Sequence, residues 1–247
     1  MVRRRIRRIA LAVVLVLVGV TIAGGAYFAI PQQQLPEAAA ALTSTPSVAY
    51  GTDHGWLTFT PTGPAAAGLI VYPGGKVSAA SYAPLAQRIA TAGYLVVIVP
   101  MPLNLAVLGI DRARAVIEAH PEIDHWAIGG HSLGGAMAAQ YAAGDTRIEG
   151  LALWAAYSAT NLSARDLHAL IVYGSLDAGD YVSAARLANL PPGPTIVVIE
   201  GGNHEQMGWY TGQPNDPPAS ISRGDQQDRV AAATVALLAA LSGSIAP

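Results

Sequence analysis

Trp126-Ala127-Ile128-Gly129-Gly130-His131-Ser132-Leu133-Gly134-Gly135-Ala136 reads as a short buried strand, an abrupt glycine-flanked turn and the opening of a helix at Leu133. Within it, Gly130-His131-Ser132-Leu133-Gly134 fits the G-x-S-x-G pattern of a nucleophile elbow. The spacing has a steric cause. A serine that projects from a sharp strand-to-helix turn needs neighbours without side chains two positions before and after it. The helix behind the serine then directs its free N–H groups toward the place where negative charge would develop. Five residues alone are a weak signal in a chain with 26 glycines, so the reading depends on what surrounds them.

Outward from the elbow, apolar β-branched runs alternate with amphipathic stretches. Strands are expected at Trp56 to Phe59, Ala67 to Tyr72, Tyr94 to Val99, Gly150 to Trp154, Ala169 to Tyr173 and Thr195 to Ile199. Helices are expected at Tyr82 to Ala92, Ile110 to Ala119, Leu133 to Ala143, Tyr181 to Leu190 and Gln226 to Leu241. Such alternation specifies an α/β fold, a mostly parallel sheet with helices on both faces. Ligands of these sheets bind at the carboxyl ends of the strands. Three loops there carry the candidate chemistry: Ser132 after the elbow strand, Gly174-Ser175-Leu176-Asp177 after the next but one, and Gly201-Gly202-Asn203-His204-Glu205 after Ile199 and Glu200.

The order Ser, Asp, His, each just past a strand end, resembles that of the α/β-hydrolase superfamily. The resemblance covers about Tyr50 to Leu241 and rests on Gly130 to Gly135, Tyr173 to Asp177 and Gly202-Asn203-His204. It implies a Ser132 nucleophile, a His204 base and an Asp177 that orients the imidazole. It also implies two backbone N–H donors for a tetrahedral oxyanion. One is that of Leu133; the other comes from Gly74-Gly75-Lys76, with Lys76 or Gly75 as the donor. Asp180 is a rival for the acid, although a position beside a helix start gives it a structural reason to be acidic. His131 is expected as a packed or hydrogen-bonded neighbour of the elbow. Glu205 either perturbs His204 or is solvated, and Trp209 and Tyr210 either wall a pocket or pack. Only Ala155 to His168 separates two successive strands, too short for a lid domain. The body therefore resembles a compact, lidless serine hydrolase of dienelactone-hydrolase-like form with serine in place of cysteine.

Composition narrows the classes. The chain has 247 residues, no cysteine and a formal net charge of −2. The lack of cysteine excludes disulfides, cysteine nucleophiles and thiolate metal sites. His54, His120, His125 and His168 are scattered without metal-ligand spacing, and Gly74-Gly75 is not followed by the residues of a phosphate loop. No cofactor and no metal are expected. From residue 46 onward nine basic residues face fifteen acidic ones, which argues against nucleic-acid binding.

The amino terminus differs in kind. Arg3, Arg4, Arg5, Arg7 and Arg8 precede an uncharged run from Ile9 to Ile30. At about 1.5 Å per residue the run spans a hydrocarbon core of about 30 Å. The flanking arginines place the amino terminus inside and the body outside the cytoplasm. The expected organisation is a cytoplasmic arginine cluster and a single transmembrane anchor within residues 1–30, a linker over 31–47 and an α/β-hydrolase domain over 48–247. The competing reading is a signal peptide cleaved near Ala38 to Ala41 and a secreted body, although signal cores usually span about 7–15 apolar residues. The expected substrate is a small acyl ester. A thioesterase or acyltransferase would use the same triad, and a non-catalytic binding domain could reuse the scaffold.

Overall fold

A computed structural model describes residues 2–243, without the side chains of residues 2–12, 15, 21 and 22. In chain order the regular elements are α1 (Val2–Ala29), β1 (Gln33–Gln34), α2 (Pro36–Ala40), β2 (Val48–Gly51), β3 (Leu57–Pro61), β4 (Gly68–Tyr72), α3 (Ala83–Thr91), β5 (Leu95–Ile98) and α4 (Arg112–Ala119). They continue with β6 (Trp126–His131), α5 (Leu133–Gly144), β7 (Ile148–Trp154), β8 (His168–Gly174), α6 (Ala184–Leu187), β9 (Thr195–Ile199), β10 (Tyr210–Thr211) and α7 (Arg223–Ser242).

Eight strands form one sheet in the order β2-β3-β5-β4-β6-β7-β8-β9. The pairs β2–β3 and β3–β5 are antiparallel, and every pair from β5 to β9 is parallel. Strand β4 lies between β5 and β6, so the chain first steps one way along the sheet and later steps the other. Right-handed crossovers then place α3 and α5 on opposite faces. The residues of β4, β5 and β6 are all buried, which explains why they are apolar up to His131 at the end of β6. Trp154 is among the largest wholly buried side chains, and its indole N–H donates to Thr234 Oγ1 of α7 at 3.2 Å. Helix α7 begins with a reciprocal cap: the Asp225 N–H donates to Ser222 Oγ at 3.1 Å, and that hydroxyl donates to Asp225 Oδ2 at 2.7 Å.

Three regions differ in detail from the sequence pattern. Residues 31–47, expected as a linker, include docked elements. Gln33 and Gln34 pair antiparallel with Thr211 and Tyr210, the Leu35 N–H donates to the Trp209 carbonyl at 3.0 Å, and Ala38 is wholly buried. A two-residue strand and a one-turn helix carry no periodicity, so their docking depends on partners about 175 positions away in sequence. The helix expected at Tyr181 to Leu190 shrinks to Ala184–Leu187 because Tyr181 is buried before it, in the candidate site. An additional edge strand, Val48–Gly51, pairs with Leu57–Pro61.

The amino-terminal run is one continuous helix, Val2–Ala29. Among the described residues no helix is long and apolar enough to cross a membrane. The expected span over residues 9–30 includes positions 9–12, 15, 21 and 22, whose side chains lie outside the described set.

Candidate active site

The elbow is strained as its spacing requires. Ser132 has φ 54° and ψ −122°, a conformation that costs a non-glycine residue on the order of 1–3 kcal/mol. Two backbone bonds hold it: the Ser132 N–H donates to the Trp154 carbonyl at 3.0 Å, and the Ser132 carbonyl accepts from the Ala136 N–H at 3.1 Å. A Cβ on either Gly130 or Gly134 would collide with the Tyr72 carbonyl oxygen. Both glycines therefore allow α5 to close against the end of β4.

The acid and histidine loops are bonded to each other across the ends of β8 and β9. The Ser175 N–H donates to the Ile199 carbonyl at 2.9 Å, the Leu176 N–H to the Gly202 carbonyl at 2.9 Å, and the Gly201 N–H to Ser175 Oγ at 2.9 Å. This brings His204 Nδ1 to 2.7 Å from Asp177 Oδ2, with both side chains largely shielded from solvent. Asp177 also accepts from the Tyr181 hydroxyl at 2.8 Å and from the Gly179 N–H at 3.1 Å. Burial pushes the Asp177 carboxyl up, but the His204 and Tyr181 hydrogen bonds and the Gly179 N–H together hold it below the usual carboxylate range. Asp180 instead accepts from the Ser183 N–H at 3.0 Å, at the entry to α6. The structure thus pairs Asp177, not Asp180, with the histidine.

Ser132 and His204 line one cavity of 350 Å³, with Leu133, Ala136, Ala155, Ala156, Tyr157, Gly179, Asp180 and Tyr181 around it. A slightly larger cavity of 390 Å³ opens beside His168, Thr195 and Leu237, near the amino ends of β8 and β9. It has no strained serine and no histidine oriented by a carboxylate, so size does not make it the site. No helix or strand interrupts residues 155–167, in keeping with a connection too short for a lid.

The glycine loop after β4 distributes its donors unequally. The Gly74 N–H donates to the Tyr82 hydroxyl at 3.0 Å and the Lys76 N–H to the Asn104 carbonyl at 2.9 Å. Lys76 is therefore corrected as an oxyanion donor, because its N–H is already engaged. Gly75 has no such acceptor among the described residues and lies against the Leu133 side chain. Leu133 is the first residue of α5, where an N–H has no helical carbonyl to meet. Two N–H groups, of Gly75 and Leu133, thus remain beside the elbow.

His131 is buried, with Nδ1 at 2.8 Å from the Tyr82 hydroxyl. The same hydroxyl accepts from the Gly74 N–H at 3.0 Å. Burial, reinforced by the neighbouring His204 charge, keeps His131 neutral far below the usual histidine range. Its ring centroid is 4.4 Å from that of His204. Glu205 pairs with Arg223 at 3.1 Å and accepts from the N–H groups of Gly212 and Gln213, so it anchors a loop. Tyr210 is buried, and Trp209 lies against the Arg223 guanidinium; neither lines the cavity.

Four site residues carried no signal in the sequence: Tyr82, Tyr181, Asp216 and Gln226. Tyr82 bonds His131, and Tyr181 bonds Asp177. Asp216 accepts from the backbone N–H groups of His204 and Glu205 at 3.1 and 2.7 Å. Gln226 clamps the Asn203 backbone, accepting from its N–H at 3.0 Å and donating to its carbonyl at 2.8 Å. Each is a lone polar residue in a loop or helix whose partner is set only by folding.

Among the described residues no group of histidine, aspartate and glutamate could hold a metal ion. No match was found among curated proteins. The alpha/beta hydrolase family model matches residues 68–228, from the first residue of β4 into α7. That span holds all three loops and well over half of the chain, and the chain belongs to the alpha/beta hydrolase family.

Proposed function

We propose that the protein is a serine hydrolase that cleaves a small acyl ester through an acyl-enzyme. The observation that carries this reading is the 2.7 Å pair between Asp177 and His204, facing the cavity that the strained Ser132 also lines. In this mechanism His204 Nε2 takes the Ser132 proton as Oγ attacks the acyl carbon. Asp177 fixes the proton on Nδ1 and stabilises the imidazolium that forms. The Leu133 and Gly75 N–H groups receive the oxyanion, and collapse of the intermediate expels the alcohol, protonated by His204. Water then repeats the sequence against the acyl-enzyme. A fluorophosphonate probe tests the reading directly: it should label the wild-type chain at Ser132 and leave Ser132→Ala unlabelled. Labelling at another residue would move the nucleophile.

The pH dependence derives from the charge states. Asp177 is held ionised and His131 neutral, both by downward shifts. Both transitions are displaced to lower pH, away from the range in which a histidine base ordinarily deprotonates. Asp177 and His131 therefore add no second ionisation to the acid side of the activity profile. The logarithm of kcat/KM should rise with a single-proton slope on the acid side. A two-proton slope in stopped-time ester assays would contradict this assignment.

We further propose that α1 anchors the protein, with the catalytic body outside the cytoplasm. Support comes from the arginine cluster, the uncharged run over residues 9–30 and the unbroken 28-residue helix that contains nearly all of it. The full chain should stay in the membrane fraction after carbonate washing, and external protease should reach the body. A mature soluble form beginning near residue 42 would instead establish signal cleavage and a secreted enzyme.

A further inference from the structure

Between β5 and α4 the chain makes two short 3₁₀ turns, Pro102–Asn104 and Ala106–Leu108. They leave Leu103 43%, Val107 49% and Leu108 53% exposed. Leu103 and Asn104 have φ of 52° and 55°, in the left-handed region that side chains other than glycine rarely enter. The turn is fixed to the body through the Asn104 carbonyl and the buried Ala106, yet its leucine and valine side chains stay exposed.

Its neighbours supply a reason. Asn104 Nδ2 donates to the Phe28 and Ala29 carbonyls at 3.1 and 3.3 Å, meeting orphan groups at the end of α1. The Lys76 ammonium sits 3.3 Å from the centroid of the Tyr27 ring, and the Gln32 N–H donates to the Lys76 carbonyl at 2.7 Å. Tyr27, Phe28 and Ile30 are themselves exposed. The apolar turn is thereby tied to the end of the apolar helix, and both are tied to the glycine loop beside the elbow. Aromatic rings closing an apolar run, with a lysine beside them, are what the boundary between lipid and water favours.

We infer that the turn at 102–108, together with residues 27–30, is seated in the interface of a lipid bilayer, next to the glycine loop beside the elbow. The inference rests on the anchor reading of α1, since continuity with that helix brings the turn to the membrane. It assigns the turn an occupant, the headgroup and upper acyl region.

The absence of cysteine makes the test clean, because one introduced cysteine is the only thiol. The full chain would be reconstituted in phosphatidylcholine vesicles carrying nitroxide-labelled phosphatidylcholine. A polarity-sensitive fluorophore would be attached in turn to Leu103→Cys, Val107→Cys, Leu108→Cys, Val16→Cys and Thr195→Cys. Thr195 is an exposed control at the amino end of β9. The inference expects loss of fluorescence to shallow nitroxides at the three turn positions, loss to deep nitroxides at Val16, and none at Thr195. Quenching at Val16 with none at the turn overturns the inference and leaves the anchor. Quenching at neither overturns both. Quenching at the turn without Val16 keeps the surface and removes the span, and equal quenching at Thr195 reduces the turn to nonspecific adsorption, against the inference. Three turn positions keep the test decisive should one variant misfold.

Discussion

Ser132→Ala is expected to lower turnover by about 10⁴-fold or more, the scale seen when a triad nucleophile is removed. Folding should scarcely change, within about 0.5 kcal/mol, because nothing buried is lost. The hydroxyl leaves a half-exposed elbow, and the two bonds that hold the turn are made by the Ser132 backbone. Alanine accepts the positive φ no worse than serine does, so the elbow keeps its strain and shape. Steady-state kinetics on chromogenic esters, paired with a thermal melt, provide the measurement. A variant that melts like wild type yet keeps most of its activity would remove Ser132 from the chemistry, although family membership would stand.

The second large effect separates two aspartates three positions apart. Asp177→Asn should cost roughly 10³–10⁴ in turnover, because an amide can hold the imidazole in the wrong tautomer. The His204 Nδ1 to Asp177 Oδ2 bond of 2.7 Å is the contact at stake, and Tyr181 would remain beside both groups at 2.8 and 3.2 Å. Asp180→Ala should leave turnover near wild type, since Asp180, although at the cavity wall, bonds the Ser183 N–H at the start of α6 and not the histidine. Kinetics of the two variants, each checked by melting, distinguish the roles. A reversed pattern would shift the acid to Asp180 and require the 176–181 loop to rearrange in the working enzyme.

Much of the site was legible because its parts are tied to local rules. Gly130 and Gly134 announce a turn at which backbones nearly touch, and the Tyr72 carbonyl lies at that approach. Asp177 and His204 come shortly after apolar strands, and parallel strands deliver the loops at their carboxyl ends to one edge of the sheet. The choice between Gly75 and Lys76 was not legible. It depends on the Asn104 carbonyl, 28 residues away, taking the Lys76 N–H.

By itself, then, the sequence determined the alternation of buried strands and helices, the strained elbow and the order of its three candidate groups. Apolar periodicity and glycine spacing are local quantities, with their physical cause within a few residues. Tertiary structure alone decided the rest. It laid Gln33 and Gln34 along Tyr210 and Thr211, pulled Tyr181 out of a helix onto Asp177, and hung the His204 backbone on Asp216. These are hydrogen bonds, one or two at each place, between polar groups whose pairing no local pattern dictates. Which donor meets which acceptor is settled only when the sheet closes and excludes the water that would otherwise satisfy both.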